Sequence, residues 1–192
     1  MSRVELVVIG GSAGAIEALR QMLGGLTGKF ATAVAVVIHL PADGSSLLPE
    51  IFERPGGPRM KFADDKEPIE AGTIYFAPPD YHLLVEASRT FALSQIDRVH
   101  HSRPAIDVLF ETAAEAYGGR LMGIVLSGAN ADGAAGLKAV MEAGGVTAVQ
   151  SLETSEMIAM PAAALGAAPG SIELSLSSLA QFLRAHGEPD VG

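Results

Sequence analysis

Apolar residues form short runs along this chain and recur at helical spacing between the runs. The first run, residues 4–9, is apolar except for Glu5, as expected of a parallel strand that is buried on both faces. Glycines and a serine follow, and apolar residues then return at helical spacing up to residue 23. Residues 31–39 again have the pattern of a buried strand, which ends at His39. The chain is therefore predicted to begin with a strand, a helix and a second strand.

The later pattern continues this alternation of strands and helices. The predicted elements are a turn at 41–45, a short helix at 47–54, strands at 60–62 and 73–76, an antiparallel hairpin at 82–95, a helix at 105–117, a strand at 121–126, a helix at 134–143, a strand at 146–149 and a helix at 177–186. The order favours an α/β fold with a doubly wound, mainly parallel sheet, helices on both faces and one antiparallel β-hairpin. Since neither a repeat nor a linker interrupts it, we expect residues 1–192 to form one domain.

The composition narrows the class of protein. Of the 192 residues, 48% are hydrophobic and 22 are glycine, which is typical of a compact α/β domain. The absence of cysteine from the sequence excludes disulfides, cysteine catalysis and thiolate metal sites. A formal net charge of −9 argues against general binding to nucleic acid or to anionic membranes. The apolar runs are too short for membrane insertion and the first residues do not form a signal peptide, so we expect a cytoplasmic protein.

The glycine turn after the first strand carries Ser12 and admits three interpretations. Gly10, Ser12 and Gly14 match the GxSxG pattern of a nucleophile elbow, in which a serine lies between a strand and a helix. A dinucleotide-binding loop matches poorly, because Ser12 replaces its second glycine, Ala15 replaces its third, and no acidic residue ends the next strand. The third interpretation is a serine that caps an ordinary helix. The turn by itself does not separate these interpretations.

Three polar side chains follow predicted strands at the carboxyl ends, where functional residues of open α/β sheets collect. They are Ser12, His39 and Asp132. A serine nucleophile needs a base such as His39 to take its proton, and a carboxylate such as Asp132 orients that imidazole and stabilises its charged form. Backbone N–H groups of Ala13 and of residues 129–131 would face the developing oxyanion. Taken singly, the three residues also fit structural roles as a cap, a satisfied polar group and a turn former.

A basic segment at residues 96–104 stands out in this acidic chain. Its cationic side chains are Arg98, His100, His101 and Arg103. The segment is expected either to orient a substrate or partner, or to be held as a loop by arginine pairs with Asp97 or Asp107.

The remaining histidines give no sign of a metal site. We expect His82 to lie in the hairpin and His186 to be solvated in the last helix. Adjacent His100 and His101 would point to opposite sides of an extended chain. We therefore predict no metal and no cofactor.

Six blocks of sequence follow one another in an order that is known from one enzyme family. They are VVIGGSAGAIEAL, VVIHLP, GTIYFAPPDYHL, SRPAIDVLF, GIVLSGANADGAAGL and AMPAAAL. Over almost the whole chain they resemble the catalytic domain of the chemotaxis methylesterase family CheB, which removes methyl esters from receptor glutamates. The resemblance implies a catalytic triad of Ser12, His39 and Asp132, an acyl-enzyme, and a methylated chemoreceptor as partner. It also implies that some members deamidate receptor glutamines.

The chain departs from the family pattern beside two of the three implied triad residues, Ser12 and Asp132. Ala13 replaces a usual threonine, Ala15 a glycine, Ala129 a methionine and Asn130 a glycine. These changes motivate an alternative hypothesis, a non-catalytic module that binds a receptor or regulator. Because the first strand begins three residues after Met1, we expect no receiver domain of the family type. Constitutive activity, control by a separate response regulator, and a fragment of a longer protein are the alternatives that this leaves.

Overall fold

Strands and helices alternate as predicted in the computed structural model, which describes residues 3–39 and 47–188. Within these ranges the strands are β1 (Leu6–Gly11), β2 (Ala33–Ile38), β3 (Arg59–Phe62), β4 (Thr73–Phe76), β5 (His82–Val85), β6 (Phe91–Ser94), β7 (Leu121–Val125), β8 (Val146–Gln150) and β9 (Ile172–Leu174). The α-helices are α1 (Ala15–Leu23), α2 (Leu48–Phe52), α3 (Ile106–Tyr117), α4 (Ala134–Glu142), α5 (Ala159–Ala167) and α6 (Leu176–Gly187). No helix of the described ranges has the length and apolar character needed to cross a bilayer. The predicted turn at 41–45 lies outside the described residues.

Seven of the strands form a parallel sheet in the order β3-β4-β2-β1-β7-β8-β9. The chain leaves the central strand β1 toward β2 and later returns to its other side as β7. A reversal of this kind opens a crevice at the carboxyl ends of the strands, where ligands bind in open α/β sheets. The strands β5 and β6 pair separately as an antiparallel hairpin. The predicted fold class is confirmed.

The central strand is apolar almost without interruption because helices cover both of its faces. Leu6 and Val8 pack in a core cluster that includes residues of α3 and α4. Val7 and Ile9, which point the opposite way, pack in a cluster that includes residues of α1 and α6. The sheet is therefore fixed between two layers of helices, and only its strand ends remain available for chemistry.

Two buried aspartates lie at the start of α3 and just before α4. The carboxylate of each accepts backbone N–H groups at the amino end of the other helix. Asp132 precedes α4, yet its carboxylate accepts the N–H of Ile106 at 2.7 Å and of Asp107 at 2.9 Å in the first turn of α3. Asp107 in turn accepts the N–H of Gly133 at 2.9 Å and of Gly136 at 2.7 Å, at the start of α4. Neither helix is capped by the side chain of its own N-cap residue. This reciprocal capping satisfies four helix donors and fixes Asp132 in place.

The hydrophobic pattern does not predict α5 or β9. The helix α5, with the sequence AMPAAALGA, is apolar or small on every side and carries Pro161 in its first turn, so it has no amphipathic period. The strand β9 is three residues long at the edge of the sheet, and Ile172 and Glu173 are exposed. Tertiary contacts, rather than local pattern, define both elements.

Gly10 marks the closest approach of β1 to α3. A Cβ atom at Gly10 would lie 2.3 Å from Cγ2 of Ile106, the residue whose N–H is bound by Asp132. We expect Gly10→Ala to lower the free energy of unfolding by about 1–3 kcal/mol, because α3 must shift, and urea denaturation measures this. Gly166→Ala in α5 is the matched control, since its Cβ would meet no atom within 4 Å and the change should be neutral or stabilising. Equal losses in both variants would contradict the packing argument.

Candidate active site

Ser12 lies between the end of β1 and the start of α1. Its N–H donates to the carbonyl of Ser127 at 2.9 Å, while the N–H of His39 donates to the carbonyl of Gly11 at 3.1 Å. Both bonds extend the parallel ladders beyond the strand ends. Because Gly11 is in register with Ile38, the next residues along the two strands, Ser12 and His39, are neighbours.

Gly14 lets the backbone enter α1 directly after Ser12 and Ala13. It is the N-cap of α1 and has a left-handed conformation with φ of 81°. A Cβ at Gly14 would also lie within 3 Å of Glu156 and of the Ser127 hydroxyl. The last glycine of the GxSxG pattern is thus required by both conformation and space.

His39 and Asp132 are joined by a hydrogen bond. The distance between Nε2 of His39 and Oδ2 of Asp132 is 2.8 Å, the His39 side chain is 12% exposed, and that of Asp132 is fully buried. Because a carboxylate can only accept, Nε2 carries the hydrogen, and in the neutral ring Nδ1 keeps a free lone pair. Between the two described residues Ser12 and His39 there is no side-chain hydrogen bond. The structure brings two of the three predicted residues into contact and Ser12 next to them.

The Asp132 carboxyl remains ionised although it is buried. Burial by itself would raise its pKa, but hydrogen bonds from His39 and from the N–H groups of Asp107 and Ile106 outweigh burial and hold the pKa below its ordinary value. A negative charge therefore lies directly behind the imidazole and accepts the hydrogen bond from its Nε2.

Asp107 and His100 form a second aspartate–histidine pair, which the sequence analysis does not identify. Nε2 of His100 lies 3.0 Å from Oδ2 of Asp107. Burial raises the pKa of the Asp107 carboxyl, a hydrogen bond from the N–H of Gly136 lowers it, and the charge of Asp132 raises it further. The sequence does contain an indication that Asp107 has a special role. It shares its face of the predicted helix with Phe110 and Ala114, and a charged residue is unusual on such an apolar face.

Ser127 ties the turn at Ser12 to the loop before α5. Its hydroxyl donates to the carbonyl of Ala13 at 2.7 Å and accepts from the N–H of Met157 at 2.9 Å. Its own N–H donates to the side chain of Gln150 at 2.9 Å. These bonds fix the backbone beside Ser12 from the β7 and β8 side of the sheet.

One group in the described part of the chain has the spacing of a metal site. The potential ligand atoms of His100, Asp107 and Asp132 all lie within 4.8 Å of one another. The two carboxylates already accept four backbone N–H groups and two histidine rings. Helix capping and histidine orientation account for this cluster without a cation.

His82 lies in the hairpin, as predicted, and helps to position α3. Its Nδ1 accepts the N–H of Ala105 at 3.2 Å, so its Nε2 donates to the carbonyl of Asp97 at 3.1 Å. Burial lowers the pKa of His82, which keeps this neutral tautomer.

His186 is less solvated than predicted. The residue lies in α6, but its ring is partly buried against Phe182, with 4.4 Å between the ring centroids, and its Nδ1 lies 2.9 Å from the carbonyl of Phe182.

The basic segment is held by different pairs from those expected. Arg103 binds Oδ1 of Asp80 through Nη2 at 2.7 Å and Nε at 3.1 Å, and Arg98 is 3.9 Å from the same oxygen. The expected arginine pairs with Asp97 or Asp107 do not form, because the loop folds toward Asp80 and Asp107 is taken by His100. A cavity of about 110 Å³ lies in front of this segment, and its lining is His39, Arg98, His101, Ser102, Arg103 and Pro104.

Known proteins resemble this chain in both sequence and fold. A protein of Leptospira interrogans, with a provisional assignment as protein-glutamate methylesterase/protein-glutamine glutaminase, is 44% identical over 181 residues, covering 94% of each chain. Protein-glutamate methylesterase/protein-glutamine glutaminase 1 of Rhodospirillum rubrum is 35% identical over 94% of this chain and 48% of its own length. The crystal structure of the Thermotoga maritima CheB methylesterase catalytic domain superposes with a TM-score of 0.88 and 28% identity, covering 95% of this chain and 98% of the other.

The sequence model of one family matches nearly all of the fold. It is that of the CheB methylesterase, and it covers residues 7–183, from β1 to α6. The range includes the crevice at the carboxyl ends of β1, β2 and β7. The chain therefore belongs to the CheB methylesterase family.

Proposed function

We propose that this protein hydrolyses the γ-methyl esters of glutamate residues on methylated chemoreceptors, with Ser12 as nucleophile, His39 as base and Asp132 as its orienting carboxylate. The observation that carries the proposal is the 2.8 Å hydrogen bond between His39 and a buried, ionised Asp132, beside a serine at the start of a helix. Membership of the family and the names of the relatives supply the substrate class.

The two nitrogens of His39 have separate roles in this mechanism. Nε2–H donates to Asp132, so Nδ1 is the atom that takes the proton of the Ser12 hydroxyl. As Oγ of Ser12 attacks the ester carbonyl, Nδ1 becomes protonated, and the proton then passes to the departing methanol. Nδ1 next takes a proton from water, which attacks the acyl-enzyme. The proton on Nδ1 returns to Oγ of Ser12 as the bond between Oγ and the acyl carbon breaks. The products are free Ser12 and a glutamic acid side chain, which ionises to the carboxylate.

Backbone donors at the start of α1 are suited to the oxyanion of each tetrahedral intermediate. The N–H of Ser12 is already used by the carbonyl of Ser127, which leaves the N–H of Ala13 as the first candidate. The turn at residues 129–131 is the proposed source of a second donor. Loss of one such donor costs about 3–4 kcal/mol of transition-state stabilisation. A threonine side chain at position 13 is not needed for a backbone contact.

Deamidation of receptor glutamines is proposed as a second reaction of the same site. An amide passes through the same acyl-enzyme as an ester, with ammonia in place of methanol as leaving group. Glutaminase activity is part of the names of both relatives.

The alternative of a non-catalytic binding module is not favoured. It rests on the departures at Ala13, Ala15, Ala129 and Asn130. The side chain of Asn130 accepts the N–H of Asp132 at 3.1 Å and so supports the turn that a glycine would leave without this bond. The other three departures leave backbone donors in place. We also propose a response regulator as partner, since regulation in the family acts through a receiver domain.

Ser12→Ala should lower methanol release from a methylated receptor fragment by at least about a thousandfold, because no other group forms the acyl-enzyme. Gas chromatography of the released methanol measures the rate. Ser88→Ala is the control, because this exposed hairpin hydroxyl contacts only Thr90 among the described residues and its loss should leave turnover unchanged. Near-normal turnover by Ser12→Ala would exclude Ser12 as nucleophile. Binding of the fragment by the unaltered protein without methanol release would instead support the non-catalytic module.

Acid should abolish activity through one proton on the imidazole. In the acid range the rate is expected to fall about tenfold for each pH unit, since only a neutral imidazole accepts the serine proton. The Asp132 carboxylate takes up no proton above about pH 4, because its pKa is held below the ordinary value, so only one protonation affects the rate in this range. The rate is measured from about pH 8 to about pH 4.5, with circular dichroism as control for folding. A flat profile, or a slope of two in that range, would contradict these roles.

A further inference from the structure

The turn that carries His100 and His101 has a backbone that seldom holds these residues. Val99 and Ser102 exchange backbone hydrogen bonds of 3.1 Å and 2.9 Å, so the two histidines form a two-residue reverse turn. Their φ angles are 49° and 63°. Two-residue turns with both φ angles positive usually contain Asn-Gly, because other residues are strained there. Backbone strain of this kind tends to occur at functional sites.

The turn directs its side chains to two different places. His100 binds Asp107 at 3.0 Å and thereby fastens the turn to α3. His101 is exposed and lines the cavity of about 110 Å³ that also includes His39. The strained turn therefore presents His101 at the catalytic histidine proposed above.

The two arginines of this segment differ in how they are bound. Arg103 is 18% exposed and donates to Asp80 and to the backbone carbonyls of Gln95 and Ile96. Arg98 is 60% exposed, and within the described residues its only ion pair is at 3.9 Å, with the Asp80 oxygen that Arg103 already binds. Arg103 thus holds the loop, while the guanidinium of Arg98 is available at the rim of the cavity.

A cationic rim is unexpected at this place. The chain has a formal net charge of −9, so its overall field repels acidic segments of a substrate. The described lining of the cavity contains two arginines and no acidic residue. A guanidinium matches a carboxylate in both charge and planar geometry.

We propose that Arg98 and His101 form a subsite that binds an acidic side chain close to the esterified glutamate of the substrate. The inference rests on the proposed function, because it assumes that substrate reaches Ser12 and His39. Arg98 pairs with the carboxylate, and His101 donates a hydrogen bond to it. The subsite selects which glutamate ester of the substrate is placed at Ser12.

The test uses synthetic peptides with one glutamate γ-methyl ester and one neighbouring residue that is either glutamate or glutamine, moved through each of the flanking positions. At one position, kcat/KM is expected to be about tenfold higher for the acidic peptide. Arg98→Gln should bring this ratio close to one with little effect on the neutral peptide. Arg20→Gln is the control, since the one ion pair that this exposed arginine of α1 forms with the described residues is also weak, with Glu17 at 3.6 Å.

His101→Gly separates recognition from folding. The left-handed φ of 63° suits glycine, so this variant should unfold at the same or a higher temperature and still lose the acidic preference. A variant that is as stable as the parent protein and keeps the preference would remove His101 from the subsite.

Binding of the same peptides to Ser12→Ala, followed by fluorescence anisotropy, distinguishes failure of the subsite from failure of the proposed function. If no peptide is hydrolysed by the unaltered protein but acidic peptides bind more tightly in an Arg98-dependent way, the esterase function fails and the subsite remains. If peptides are hydrolysed but no position gives an acidic preference in rate or affinity, the subsite is overturned. A preference that survives in Arg98→Gln would overturn it as well.

Discussion

The reciprocal contact between two aspartates and two helix ends determines the geometry of the whole site. Asp132 accepts N–H groups at the start of α3, and Asp107 accepts N–H groups at the start of α4. Each carboxylate uses its remaining capacity to hold one histidine, His39 or His100. A shift of either helix would therefore move the proposed base and the basic turn together. Gly10, which lets α3 approach β1, belongs to the same arrangement.

The same contact also shifts the pKa values of the two carboxyl groups in opposite directions. Asp132 has a lowered pKa, because the hydrogen bonds it accepts outweigh its burial, whereas burial and the charge of Asp132 raise the pKa of Asp107. Neighbouring acids with opposite shifts are a recurring feature of active sites. Here the acid behind His39 is the one that stays charged, as the proposed mechanism requires of a group that stabilises an imidazolium. Asp107 can then serve chiefly to hold α4 and His100.

The sequence predicts well those parts of the structure that depend on local pattern. The buried strands β1 and β2 follow from continuous apolar runs, and parallel-sheet topology alone brings Ser12 next to His39. The prediction that His39 meets Asp132 also needs the order of strands, in which β1 lies between β2 and β7.

Local sequence patterns do not predict contacts between distant parts of the chain. Asp80 pairs with Arg103 across 23 residues, and no periodicity favours it over the nearer Asp97. The capping of α3 by Asp132 is equally hidden, because capping rules concern residues adjacent to a helix. The helix α5 lacks any polar face that would reveal it. The residues of the proposed site could thus be selected from the sequence, whereas the contacts that support them could not.

Covalent trapping shows whether Ser12, His39 and Asp132 act as one nucleophilic unit. The protein is incubated with a fluorophosphonate ester, digested and analysed by mass spectrometry, in parallel with His39→Ala. One adduct should form on the peptide that contains Ser12, at a rate reduced at least about a hundredfold in the histidine variant. Labelling at a different residue, or at the same rate without His39, would contradict the account.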